Sequence, residues 1–351
     1  MSENNPTKKE RELWVDVLRI VATFAVMVAH ISAQFWSVGP TQLSWHFFNF
    51  YDSAVRWAVN VFFMVSGALF LSRELTINKI LKNNVLKMLT AYFFWAVIYA
   101  IFDHLDGIDR TTVLGNLFLG HYHMWFAIKV ASLYILYPLL KPIASSKKLL
   151  QYALVAYFLL IVMPWTILNV LPIFSDKIAY VADRFWDKTL FDFELGPVGL
   201  FLLGYYLYKY DIPEKARKLI YKLGIISFVC IFIFTELYSV KLGEGTTIFY
   251  QNHFVGVVFE CIAVFTWFKY NIKKFTVLEK YRDRIAEIAR CCFGVYMVHC
   301  LIVERFQYKG FTTLSYPGIL SVPLNAIFFF ALSLIVSYLL NKIKIARKYW
   351  V

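Results

Sequence analysis

The sequence predicts an all-α polytopic membrane protein with about ten transmembrane helices and both termini in the cytoplasm. Three observations carry that prediction. The chain of 351 residues is 60% hydrophobic and only 17% charged. Its charges cluster between apolar runs long enough to cross a bilayer. Lys and Arg fall unevenly on alternate connections, 26 on one side against 7 on the other, with Arg19, Arg56 and Lys129 within or at the ends of spans. The positive-inside rule assigns the richer side and both termini to the cytoplasm, which requires an even number of spans. The net charge of +13 therefore sets topology, and no nucleic-acid partner is expected.

The spans are expected at roughly 14–36, 54–72, 85–103, 123–140, 149–171, 192–209, 219–238, 248–269, 289–307 and 319–341. The first follows a basic stretch, as a signal peptide would, but it is too long for that role and no small-residue cleavage site follows. It is read as a retained helix after a polar cytoplasmic amino terminus, 1–12. The second, "RWAVNVFFMVSGALF", has Arg56 at its outer end, Asn60 within it, and Ser66-Gly67, which lets two helices approach closely. Lys79, Lys82 and Lys87 lead into the third. The fourth opens "HYHMWF", with His121, His123 and Trp125 at the outer interface and Lys129 deeper. Lysine-rich cytoplasmic connections bound the fifth to the eighth, which holds Glu260; a Lys129–Glu260 pair is one reading. The ninth, "CCFGVYMVHCLIVERF", sets His299 near the bilayer middle. The tenth ends in a basic tail, 342–351. Loops 37–53, 104–122 and 172–191 are too short to fold alone, so 1–351 forms a single integral membrane domain. The five cysteines fall in spans or at their cytoplasmic ends, so no disulfide is expected. No metal-ligand spacing occurs, and no metal is expected.

Ionisable residues inside spans are costly and mark function by default. In "RIVATFAVMVAH", Arg19 and His30 stand eleven residues apart. At about 100° per residue that is three turns and about 20°, so both lie on one helix face about 16 Å apart. Asp16, three residues before Arg19, shares the face. Arg19 could instead snorkel to lipid phosphates with Asp16 as its partner, and His30 could be interfacial. Lipid-facing residues have no need to align, however, and the shared stripe favours function. Close packing would explain Ser66-Gly67, an interfacial anchor Trp125, and a carbonyl hydrogen bond His299. The sequence has no HExxH, GxSxG, Walker or dinucleotide motif.

These residues resemble the acyltransferase-3 family of integral membrane acyltransferases. Arg19 and His30, ten residues between them, match its first-helix motif, preceded by "WVDVLR". "VNVFFMVSGALF", "HMWFAIKVASLYILYP", "FELGPVGLFLLGYYL" and "FGVYMVHCLI" match later segments in order, over nearly the whole chain. Among members it most resembles stand-alone bacterial O-acetyltransferases of envelope glycans, such as the enterobacterial common antigen type. One departure concerns the Arg-x-x-Arg often found before the third helix: this chain has Asn84 and Lys87 there. Lysine lacks the guanidinium fork.

The resemblance implies a cytoplasmic acyl-CoA donor, acetyl-CoA above all, and a hydroxyl acceptor on an envelope glycan or lipid-linked saccharide beyond a bacterial inner membrane. It implies a catalytic set of His30, Arg19, Asp16 and His299. Arg19, Lys79, Lys82 and Lys87 would hold the donor, and Arg56, Ser66, His123 and Trp125 the acceptor or oxyanion. Export of a glycan without acyl transfer is the competing class, and a homo-oligomer stays open.

Overall fold

The computed structural model describes residues 12–191 and 193–351; the polar segment 1–12 lies, but for its last residue, outside them. Among the described residues all regular structure is helical. The principal helices are α1 (Leu13–Ala33), α2 (Leu43–Val55), α3 (Ala58–Leu71), α4 (Leu86–Leu105), α5 (Arg110–Leu119), α6 (Trp125–Ile135), α7 (Tyr137–Ser145), α8 (Lys147–Tyr157), α9 (Met163–Val170), α10 (Asp176–Trp186), α11 (Gly196–Lys209), α12 (Glu214–Leu242), α13 (Val255–Asn271), α14 (Arg282–Tyr308), α15 (Gly318–Lys342) and α16 (Lys344–Tyr349).

Eight described helical segments are long and apolar enough to cross a membrane, and a ninth joins if the run Arg110–Ile135, α5 through α6, forms one bent span with α7. That bend is 66° and falls where Pro138 enters the first turn of α7. The remaining expected span, 192–209, is the 14-residue α11. At 1.5 Å per residue it is about 21 Å long, short of the ~30 Å hydrocarbon layer. The three expected loops are corrected too. Each contains a helix: α2 in 37–53, α5 in 104–122 and α10 in 172–191. All are amphipathic or polar enough to escape a hydropathy reading; Asp109 caps α5 and Ser175 caps α10 through their side chains.

Helix α1 is central. It packs against α2, α3, α13, α14 and α15. Its buried Leu18, Ala22, Val26 and Ile31 present side chains that fill these contacts. Helices α3 and α11 pack backbone to backbone. A Cβ on Gly67 would overlap the carbonyl oxygen of Phe201, and one on Gly204 would overlap that of Met64. The Ser-Gly pair foreseen as a packing device thus brings two backbones into direct contact. Every cysteine is reduced.

With α1 and α15 in place, the topology has a direct test. A reporter fused after Val351 is expected in the cytoplasm and one inserted at Gly107 outside. Finding both in one compartment would break the even-span arrangement.

Candidate active site

A cavity of about 400 Å³ opens between α1, α3, α4, α6 and α14. Four cations line it: Arg19 from α1, Arg73 after α3, Lys87 at the start of α4 and Arg290 from α14. These positions all belong to the helix ends assigned to the cytoplasm. Arg19 lies 3.9 Å from the largely buried Asp16. No acidic side chain is among the lining residues. Toward the other end the lining becomes aromatic, with Phe126 and Tyr296 in contact at 5.5 Å between ring centres. Ser66 and Tyr134 line the passage between.

Beyond Tyr296 stands a cluster of imidazoles. His30 on α1 and His299 on α14 have ring centres 4.9 Å apart, and His123 is 5.0 Å from His299 and 6.3 Å from His30. The turn before α6 brings His123 in, because the residues His121–Tyr122–His123 cross the end of α14. Arg19 and His30 share one face of the unbroken α1, with Arg19 in the cavity lining and His30 in the histidine cluster outside it.

The hydrogen bonds of the cluster run in one direction. His299 Nδ1 is 2.7 Å from the carbonyl oxygen of Tyr296. A carbonyl only accepts, so Nδ1 carries the proton and Nε2 of the neutral ring is an acceptor. Cys300 Sγ lies 3.3 Å from that Nε2 and donates to it. Tyr122 Oη lies 3.4 Å from Cys300 Sγ and 3.3 Å from His30 Nδ1. With the thiol proton used, Tyr122 donates to sulfur and accepts from His30 Nδ1–H. This chain of hydrogen bonds does not use the lone pair of His30 Nε2. A second branch leads from His123 to His121, 2.8 Å between Nδ1 atoms, and from His121 Nε2 to Glu304 at 3.0 Å.

Tyr99 of α4 fixes this end of α14. Its buried hydroxyl donates to the carbonyl of Met297 (2.9 Å) and accepts from the amide of Leu301 (3.0 Å), and its ring stacks on His121 at 4.3 Å. Donor atoms of His30, His299 and Cys300 lie within 4.8 Å of one another, as do those of His121, His123 and Cys300. These are transition-metal ligand types, a grouping that sequence spacing does not disclose. The hydrogen bonds engage some of these atoms, while the buried Nε2 of His123 has no partner among the described residues.

The acyltransferase-3 family, an acyltransferase domain, matches residues 12–342. The chain belongs to that family. No curated protein and no solved structure matches it. Membership places the protein among multi-pass membrane acyltransferases.

The acyltransferase-3 motifs fall around this path, and not every predicted site residue joins it. His30, His123 and His299 meet, and Arg19, Ser66 and Lys87 line the cavity. Lys79 and Lys82 are exposed and lie outside the lining. Arg56 is held by the buried Asp52 and lies over the Tyr250 ring at 4.3 Å, so its charge is engaged at the α2–α3 break. Trp125 packs on Phe63, in a different cavity. Lys129 pairs with Glu194 rather than Glu260, which lines an apolar crevice with Trp57 and Trp267. Arg73, Arg290, Tyr99, Tyr122, Cys300 and Glu304 escape sequence reasoning. Helical spacing places Cys300 and Glu304, four apart, on one face; the others owe their position to tertiary contacts.

Tyr99→Phe removes a buried hydroxyl with two partners. It is expected to cost about 1–3 kcal/mol and to lower the melting temperature in detergent. An unchanged melting temperature would mean that α14 holds His299 in place without Tyr99.

Proposed function

We propose that this acyltransferase-3 protein moves an acyl group, preferentially acetyl, from cytoplasmic acyl-CoA to a hydroxyl of a cell-envelope glycan or lipid-linked saccharide. The single observation behind this is that the cation-lined cavity ends on Tyr296, whose ring touches that of His123 in the imidazole cluster at 5.4 Å between centres. The cavity is too small for a whole CoA. Its nucleotide phosphates would stay at the mouth with Arg19, Arg73, Lys87 and Arg290, which supply charge-assisted hydrogen bonds. The thin pantetheine arm would follow Ser66 and Tyr134 toward Phe126 and Tyr296. Arg19 and His30 stand about 16 Å apart along the helix, so an extended arm would carry the thioester to the histidines while the nucleotide stays cytoplasmic. This reading locates the protein in a bacterial inner membrane.

His30 Nε2 would then take the proton of the acceptor hydroxyl as its oxygen attacks the thioester carbonyl. The thiolate of CoA leaves, and the proton returns to it. Tyr122 holds His30 Nδ1–H, so the ring keeps its basic face toward the substrate. The cationic charge that develops on His30 is shared along the Tyr122–Cys300–His299 chain. The aromatic end wall and the family match favour transfer over the export of a glycan.

Two outcomes are expected. Arg19→Ala raises the KM for acetyl-CoA about tenfold, the loss of one charge-assisted bond, whereas Lys79→Ala and Lys82→Ala change it less than about twofold, as exposed charges do. Equal effects at all three positions would put the phosphates elsewhere. His30→Ala inserts and binds acetyl-CoA yet loses about 10²–10⁴-fold in kcat, read as CoA thiol release against acceptor concentration. A variant that retains more than about a tenth of kcat would return His30 to a packing role.

A further inference from the structure

Behind the donor cavity lies a second one, of about 320 Å³, within the size range of small-ligand sites. The two are back to back. Phe62 and Phe126 line the first; Phe63 and Trp125, their chain neighbours, line the second. Phe63 and Phe126, 4.8 Å between ring centres, form the partition. The "FF" of α3 and the "WF" of α6 thus build one aromatic wall with a cavity on each side.

The second cavity has its own chemistry. Trp125 and Trp165 offer flat aromatic surfaces, and Asn60, Gln251 and Asn252 offer amides. Two buried polar atoms of its lining have no partner among the described residues: Oδ1 of Asn60 and Nδ1 of His253. Such atoms cost about 1–3 kcal/mol each until a partner arrives. The site is also built to hold His253. Its ring lies where a Cβ on Gly196 would be, and stands nearly perpendicular to Trp165 at 6.1 Å. Lys129 and Glu194 pair at the rim, so the lining offers no net charge to an anion. Glu194, before α11, and Gln251 to His253, before α13, belong to helix ends that the charge distribution assigns to the outside.

We infer that this cavity is a saccharide subsite, which holds a neutral sugar ring of the acceptor beside the unit that is acylated. A pyranose presents a C–H face to Trp165 or Trp125, and its hydroxyl or acetamido groups supply partners to Asn60, His253 and Gln251. Trp125 follows His123 by two residues, so one turn of chain contributes to both the subsite and the imidazole cluster. The inference rests on the acyl-transfer reading for its purpose, but not for its binding.

The test titrates the purified full chain in detergent with chitobiose, cellobiose and glycerol 3-phosphate, following tryptophan fluorescence, with acetyl-CoA binding measured on the same samples. Chitobiose is expected to quench in the millimolar range. Trp165→Ala should weaken it about tenfold, and Gln251→Ala, at a half-exposed and structurally tolerant position, about threefold, with acetyl-CoA binding unchanged. No response to either disaccharide, or a response to glycerol 3-phosphate alone, would overturn the proposal. So would a loss of chitobiose binding in Arg19→Ala as large as in Trp165→Ala, since that places the sugar in the donor cavity. Chitobiose binding without acetyl-CoA binding would uphold the subsite and remove the donor reading.

Discussion

Hydrocarbon gives a polar group nothing to bind, and each one left unsatisfied costs several kcal/mol. Helix α1 carries Asp16, Arg19 and His30 on a single face, so that face has to be covered by protein. The arrangement of α3, α14 and the turn before α6 answers this requirement. Asp16 comes within 3.9 Å of Arg19, and His30 meets Tyr122 and His299. A stripe that would be prohibitive toward lipid becomes the lining of a path. The same demand orders the protons: the carbonyl of Tyr296 fixes the tautomer of His299, and each partner in turn fixes the next.

The path is shaped as much by rings as by charges. Adjacent residues on a helix point about 100° apart, so an aromatic doublet at a helix contact can serve two compartments at once. Phe62-Phe63 and Trp125-Phe126 do this from opposite sides. The doublets separate a chamber with four cations from one with amides and tryptophans. The two chambers thereby present surfaces of unlike chemistry on opposite sides of one wall.

How far the sequence discloses this depends on the range of the forces involved. Long apolar runs are local, and nine of the expected spans reappear as long helices or a bent pair. The loop helices α2, α5 and α10 are missed because their hydropathy resembles that of connections. Arg19 and His30 are legible because one helix fixes their spacing. Tyr122 and Cys300 are not, since nothing in the chain says that the turn before α6 will reach the end of α14. The pairing of Lys129 depends likewise on where α11 sits: its short length puts Glu194, not Glu260, within reach. Lys79 and Lys82 resemble Lys87 in sequence, but only Lys87 faces inward.

The contact of Gly67 with Phe201 and of Gly204 with Met64 sets two backbones against each other with no side chain between them. Such a joint has no side chain that could yield, so a single methyl added at either glycine would have to push α3 and α11 apart.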